Sequence, residues 1–226
     1  VYRCNELISR ADDINWTSEA TRGTYIGEAR AIRALCYFDM VRLWENIPLL
    51  DIPTTDNISQ ANPDDVYQLI ISDLKYATEN IPANAYPKAQ AASNDGHITK
   101  YAAEALLARV YLFYSGYYGK EPAGLTRAEA LAGVEDVIAS GEFGLIDEFK
   151  NLWPAASVTW TTNNDGSHTK TNTYAGRGNV ETVLAQKFNY TSDYNGNADG
   201  NAWQVMIALR NLIAVPYGQG WGGCTV

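Results

Sequence analysis

The 226-residue sequence predicts a mainly α protein: a stack of helix pairs carrying an irregular, aromatic-rich loop region and a few short strands. Three observations predict it. Segments with helical apolar spacing and good end signals follow one another up to about residue 140. Two of these helices are apolar almost all round, so protein must cover them from more than one side. After Gly141 the composition shifts to Asn, Gly, Thr, Tyr and Trp.

Taken in order, the first helix is expected over residues 1–13, with Trp16 in the turn that follows. The second is expected over 25–46 and contains "EARAIRALCYFDMVRLWENIPLL", which meets no proline or glycine before Pro48. Ala29, Ile32, Cys36 and Leu43 share one face, while Ala31, Ala34, Leu35 and Phe38 occupy much of the other. Asp39 and Arg42 stand at a spacing that pairs charges along a helix. Arg30 and Arg33 have no such neighbour. They need partners on other elements, carbonyl oxygens at loop ends, or an anionic ligand.

The third helix, 63–81, has the cleanest single stripe, in Val66, Leu69, Ile70, Leu74 and Ala77. Asn62 suits the N-cap, Pro63 the first helical position, and Asp64 and Asp65 the positive helix end. The fourth, 99–115, is capped by Thr99 and expected to stop at Gly116. The fifth, 127–140, opens on a Thr126–Glu129 capping box and has Gly141 beyond its end.

The second and fourth helices repeat a pattern. "EARAIRALCYF" and "EALLARVYLFY" match Glu28 to Glu104, Arg33 to Arg109, and Tyr37-Phe38 to Phe113-Tyr114. One-striped helices alternating with all-round apolar ones are what stacked pairs require, so the build is tetratricopeptide-like. The helices at 25–46 and 99–115 are expected to be the most buried, with Leu35 and Leu107 as core residues. Residues 1–145 are then the scaffold, and 146–226 an irregular ligand-binding region packed on it as one domain. Within that region "TTNNDGSHTKTNTYAGRGN" reads as a turn-rich loop, "ETVLAQKFNY" as a short strand and "NAWQVMIALRNLI" as a helix. "VPYGQGWGG" reads as irregular.

The net charge of −9, with no basic cluster, argues against nucleic acid or an anionic lipid surface as partner. No stretch is apolar enough to span a membrane. Cys4 and Cys36 read as small core hydrophobes, and with Cys224 the three cannot all pair within the chain. His97 and His168 each stand alone in loop-like settings, and no zinc-spaced cluster, nucleophile elbow or phosphate loop is present. The alternating Asp193, Asn195, Asn197 and Asp199 suggest a calcium loop, but Met206 stands where its glutamate belongs. The expectation is therefore no catalytic residue, no metal and no cofactor.

What remains is aromatic. Trp and Tyr offer flat, low-entropy surfaces to the C–H face of a sugar, and Asn, Gln and Asp offer fixed partners to its hydroxyls. Both kinds coincide in "VTWTTNNDG" and "FNYTSDYNGNADGNAW". The candidate stacking residues are Trp160, Tyr190 and Tyr194, with Asn189, Asn195 and Asp193 as polar partners. Trp153, after a helix in "LWPA", is expected to pack, Trp221 to belong to shared scaffold, and Trp16 stays an outside candidate.

"YRCNELI", the Glu28–Leu50 stretch, the Asp65-Val66-Tyr67 helix ending "ENIP", "ITKYAAEALLARVYLFYSGYYG", "NVETVLAQKFN" and "YGQGWGG" resemble, in that order, the SusD/RagB family. The resemblance implies a cell-surface, lipid-anchored outer-membrane protein that captures an oligosaccharide or other nutrient without chemistry. It implies delivery to a SusC-like TonB-dependent transporter. It also implies longer whole members, so that the anchor region and a C-terminal part are missing from this chain. The family's ligand loops vary, so no site residue follows from the resemblance. A tetratricopeptide scaffold binding a protein or peptide is the alternative, and an enzyme a weaker third.

Overall fold

The computed structural model describes residues 1–87 and 96–186, and the backbone of Thr191–Ser192 and Ala198–Asp199. The chain divides into two compact units, Val1–Ala185 and Gln186–Val226. In the second, Thr191–Ser192 and Ala198–Asp199 pair antiparallel. The first unit holds the helices α1 (Tyr2–Ser9), α2 (Glu19–Trp44), α3 (Pro63–Asn80), α4 (Lys100–Tyr118) and α5 (Arg127–Ala139). Two-residue strands β1 (Ile47–Pro48) and β2 (Gln60–Ala61) pair antiparallel ahead of α3, and β3 (Val158–Thr162) pairs with β4 (His168–Asn172). Each helix packs on the next in sequence, the arrangement expected of a tetratricopeptide-like stack.

The end signals behave as read. Asn62 Oδ1 accepts from the Asp65 amide at 3.1 Å with Pro63 first in the helix, and Thr99 Oγ1 accepts from the Ala102 amide at 3.0 Å. Thr126 and Glu129 close a reciprocal capping box. Three boundaries differ. Helix α1 ends at Ser9 instead of running to residue 13, and Ala11–Asp13 form a separate 3₁₀ turn. Helix α2 begins at Glu19, capped by Ser18, a turn and a half before the expected start. Gly23, ahead of the expected start, and Gly27, just after it, both lie inside the helix, where α3 comes too near for side chains. A Cβ on Gly23 would stand 2.9 Å from the Asn80 carbonyl oxygen, and one on Gly27 2.7 Å from Ile81 Cγ1. Helix α4 runs past Gly116, because Tyr117 stacks on Phe113 at 5.7 Å and Tyr118 meets Tyr114 at 4.8 Å. It ends one turn later at Gly119, in the left-handed conformation.

The core lies between α2, α3 and α4, with Tyr37, Phe38, Tyr67, Ile70, Leu74, Val110 and Tyr114 almost wholly buried. Its aromatic rings meet edge to face, Tyr67 with Tyr114 at 4.9 Å and Phe38 with Phe113 at 5.8 Å, a favourable arrangement for their quadrupoles. Leu107 is buried, whereas Leu35 is half-buried. The all-round burial expected of α2 and α4 is incomplete: Ile32 is 41%, Leu43 72% and Leu112 69% exposed. Cys4 and Cys36 are free and half-buried, short of the expected core positions.

Arg33 occupies the polar centre of this packing. Its Nε and Nη2 donate to the two oxygens of Asp73 on α3, at 2.7 and 2.8 Å, and both side chains are almost fully buried. Nη1 donates to Asn5 Oδ1 and to the Asp51 carbonyl, at 2.8 and 3.0 Å. Asn5 in turn donates to the Leu50 carbonyl, which also accepts from Tyr37. Burial pushes the Asp73 carboxyl up while the guanidinium pulls it down. The expectation that this arginine stitches helices to loops is met. Arg42 pairs with Asp39 as its spacing predicts.

Two loop expectations change. The stretch read as a turn-rich loop contains the β3–β4 hairpin, and residues 181–186 of "ETVLAQKFNY" form no strand. The expected helix in "NAWQVMIALRNLI" and the irregular "VPYGQGWGG" lie outside the described residues.

Candidate functional site

The hairpin is built by its threonines and by its turn. Alternation places Val158, Trp160 and Thr162 on one face with Asn172, Lys170 and His168 opposite them, and Thr159, Thr161, Thr169 and Thr171 on the other. The turn is closed by Gly166 N–H donating to the Asn163 carbonyl at 3.0 Å, with Gly166 at φ 80°. Asp165 accepts from the Ser167 amide and hydroxyl at 2.9 and 2.6 Å, which holds its carboxyl below the ordinary range. The base is anchored by Ser157, which is buried and donates to the Trp153 carbonyl at 2.7 Å.

Trp160 projects from this frame and is 65% exposed. Lys170, directly across the ladder, holds its ammonium 5.8 Å from the ring centroid, within cation–π range. Thr162 and His168 hydrogen-bond at the same face, at 3.2 Å. The result is a flat aromatic surface rimmed by an ammonium, a hydroxyl, an imidazole and the Asn172 amide. That pairing of an apolar face with fixed polar groups suits a sugar ring. At the foot of the hairpin Phe149 and Trp153 meet edge to face at 6.1 Å, and Trp153 is 55% exposed, contrary to its expected packing role. Lys170 is the neighbour of Trp160 that sequence reading did not name, and Trp153 is one that it set aside as packing. The cross-strand register would have found the first; nothing local marks the second.

Of the residues expected to form the site, Trp160 alone falls among those described. Asn189, Tyr190, Asp193, Tyr194 and Asn195 lie outside the described residues. Trp16 is half-buried, stacks on Tyr25 at 6.0 Å and donates from its indole to the Ala11 carbonyl at 2.7 Å, so it fastens the turn before α2.

His97 is not alone, as its sequence setting suggested. Its Nδ1 is 2.9 Å from Glu28 Oε2, its ring stacks on Tyr86 at 4.1 Å, and Glu28 also accepts from the Tyr86 hydroxyl and the Ile98 amide. Burial and the adjacent carboxylate hold the Tyr86 phenol far above its ordinary value. The cluster satisfies a buried carboxylate and pins the approach to α4. Among the described residues, no group of three or more His, Cys, Asp or Glu is placed to hold a metal ion.

With this geometry in place, comparison with known proteins decides the family. Residues 4–112 match a SusD-like family model described as "Starch-binding associating with outer membrane". Across residues 4–112 the chain matches the SusD/RagB family. A SusD-like protein of Bacteroides ovatus is 33% identical over 148 residues, which cover 60% of this chain and 24% of that protein. The SusD-like protein P38 of Formosa agariphila is 24% identical over 92% of this chain and 36% of its own. This chain thus spans well under two thirds of these relatives. Among solved structures, a SusD-like protein of Bacteroides fragilis matches 98% of this chain and 37% of its own, at 26% identity and a TM-score of 0.63. A structure with a xylogluco-oligosaccharide matches 97% of this chain and 39% of its own, with a TM-score of 0.66 and 24% identity, a likeness of fold.

Proposed function

We propose that this SusD/RagB chain is part of a cell-surface protein that captures an oligosaccharide and delivers it to a SusC-like TonB-dependent transporter. The observation that carries the reading is Trp160, an exposed ring on a rooted hairpin with polar groups fixed around it. Similar proteins support it: one is described as laminarin-binding, and another was solved with a xylogluco-oligosaccharide. The ligand region is residues 146–226, where Trp160 would act with Tyr190, Tyr194, Asn189, Asn195 and Asp193. Binding occurs without turnover, and the whole protein sits on the outer membrane through a lipid anchor.

Calorimetry with laminarin and xyloglucan oligosaccharides tests the ligand. Trp160→Ala should lose roughly 1–3 kcal/mol of affinity, by analogy with base stacking on aromatics. Retained affinity after removal of Trp160, Tyr190 and Tyr194 together, with the fold intact, would place the site elsewhere. Co-purification of the full-length protein with its neighbouring transporter in mild detergent tests the partnership; a monomer alone would defeat it. The alternative, a scaffold for a protein or peptide, draws on the apolar side chains open at Ile32, Leu43 and Leu112. It predicts no glycan binding at all.

A further inference from the structure

We propose that the groove between α2, α3 and the α4–α5 loop is a second binding site, for a carboxylate or sulfate group. The groove has a volume of about 480 Å³ and is lined by Arg30, Gln68, Ser72, Lys75, Tyr76 and Glu79, with the Ala123–Gly124 backbone closing one side. Its chemistry follows from the way Arg33 is paired. Arg33 takes both oxygens of Asp73 in a two-pronged contact, so the carboxylate has little left for Arg30, whose Nη1 stands 3.8 Å from Oδ1. Arg30 makes no hydrogen bond with another described residue, and its Nε is shut off from water with no acceptor. A guanidinium so placed is a costly arrangement.

Its position is nevertheless fixed. The guanidinium lies 4.2 Å above the Tyr76 ring, a contact that sets the plane of the donor fork. Gln68, Ser72 and Lys75 follow along the same side of α3, adding an amide, a hydroxyl and an ammonium. Lys75 is held to Glu129 at 2.5 Å and plays the lesser part. The lining carries two cations against one carboxylate on a chain of net charge −9. With Nε enclosed, the Nη end of this planar fork, beside neutral donors, fits an oxyanion, which can accept two parallel hydrogen bonds from it. Glu79, in the same lining, repels a second negative charge and accepts from hydroxyls instead. A monoanionic acidic sugar meets both demands. The site stands whether or not Trp160 binds glycans.

The test is a titration of the ¹⁵N-labelled protein, following the Arg30 Nε–Hε resonance. The probes are sodium galacturonate, sodium methyl sulfate (a singly charged sulfate ester) and, as neutral control, galactose. Galacturonate or methyl sulfate should shift the resonance saturably in the millimolar range, and galactose should not. Saturation by galacturonate alone identifies a carboxylate site, and by methyl sulfate alone a sulfate site. Arg30→Gln should weaken binding roughly tenfold or more, read from neighbouring amides. Ser72→Met fills the groove from an exposed position without touching Arg30, and should abolish the shift even if Arg30→Gln fails to fold. No saturable shift with either anion overturns the proposal. So does binding that persists unchanged in Ser72→Met, or an equal shift with galactose.

Discussion

Helices α2 and α4 are copies of one pattern that settle their polar residues in opposite ways. In α2, Glu28 collects the Tyr86 hydroxyl, the His97 ring and the Ile98 amide, and Arg33 is 3% exposed and locked to Asp73. In α4, the equivalent Glu104 is just as buried, but its Oε2 accepts no hydrogen bond, Oε1 stands 3.4 Å from Lys100, and the Asp136 carboxyl lies beside it. The equivalent Arg109 is exposed. The ends differ as well: both helices finish at positive φ, on Glu45 at 61° in α2 and on Gly119 at 65° in α4. A repeated motif thus fixes where a helix packs, while its neighbours decide whether each charge is a fastening or a burden.

The largest effect should separate the two arginines. Arg33→Met leaves Asp73 buried without its partner and should cost about 3–5 kcal/mol in urea unfolding, whereas Arg109→Met should stay within about 0.5 kcal/mol. Equal costs would mean that the network around Arg33 adds nothing. Next comes packing. Leu107→Ala should lose about 2–5 kcal/mol, and half-buried Leu35→Ala should fall below it.

Glu104 supplies a pH test. Burial raises its folded-state pKa from 4.5 to about 7, Lys100 pulling the other way. Between those values the folded chain holds the proton and the unfolded chain has released it, so stability falls as pH rises through the window. The contribution is complete below pH 4.5 and lost above about 7. Glu104→Gln should flatten this slope and be the more stable protein at pH 8, by up to roughly 3 kcal/mol. Glu28→Gln should instead destabilise, by about 1–3 kcal/mol, since three donors lose a charged acceptor. If both glutamines act alike, the contrast between the copies fails. The smallest effect concerns the helix ends: Glu45→Gly should gain, and Gly119→Ala lose, about 1 kcal/mol in thermal unfolding.

The helices were legible because caps and apolar spacing are local. Asn62-Pro63 and the Thr126–Glu129 box announce their helices within four residues. The start of α2 was not legible, since Gly23 answers to the approach of Asn80, which no local pattern records. The hairpin hid because both its faces are open to water, so Thr, Lys and His alternate without an apolar stripe. The partners of His97 and Arg33 lie 69 and 40 residues away in sequence. At the candidate site, the sequence could name Trp160 as an aromatic among amides, but not Lys170 across from it, because register belongs to the folded ladder.

The knot at Arg33 also bears on how the chain is made. It joins residues 5, 33, 51 and 73, so its last strand to appear is Asp73, 40 residues after the arginine. At synthesis rates of roughly 5–20 residues per second, Arg33 spends roughly 2–8 s on the emerging chain before its counter-charge exists. Until then the guanidinium that ties α1 to the Leu50–Ile52 loop lacks its counter-charge, however strong their local preferences. Assembly order is thereby written into the molecule: the first third of this chain stays provisional until α3 arrives to fasten it.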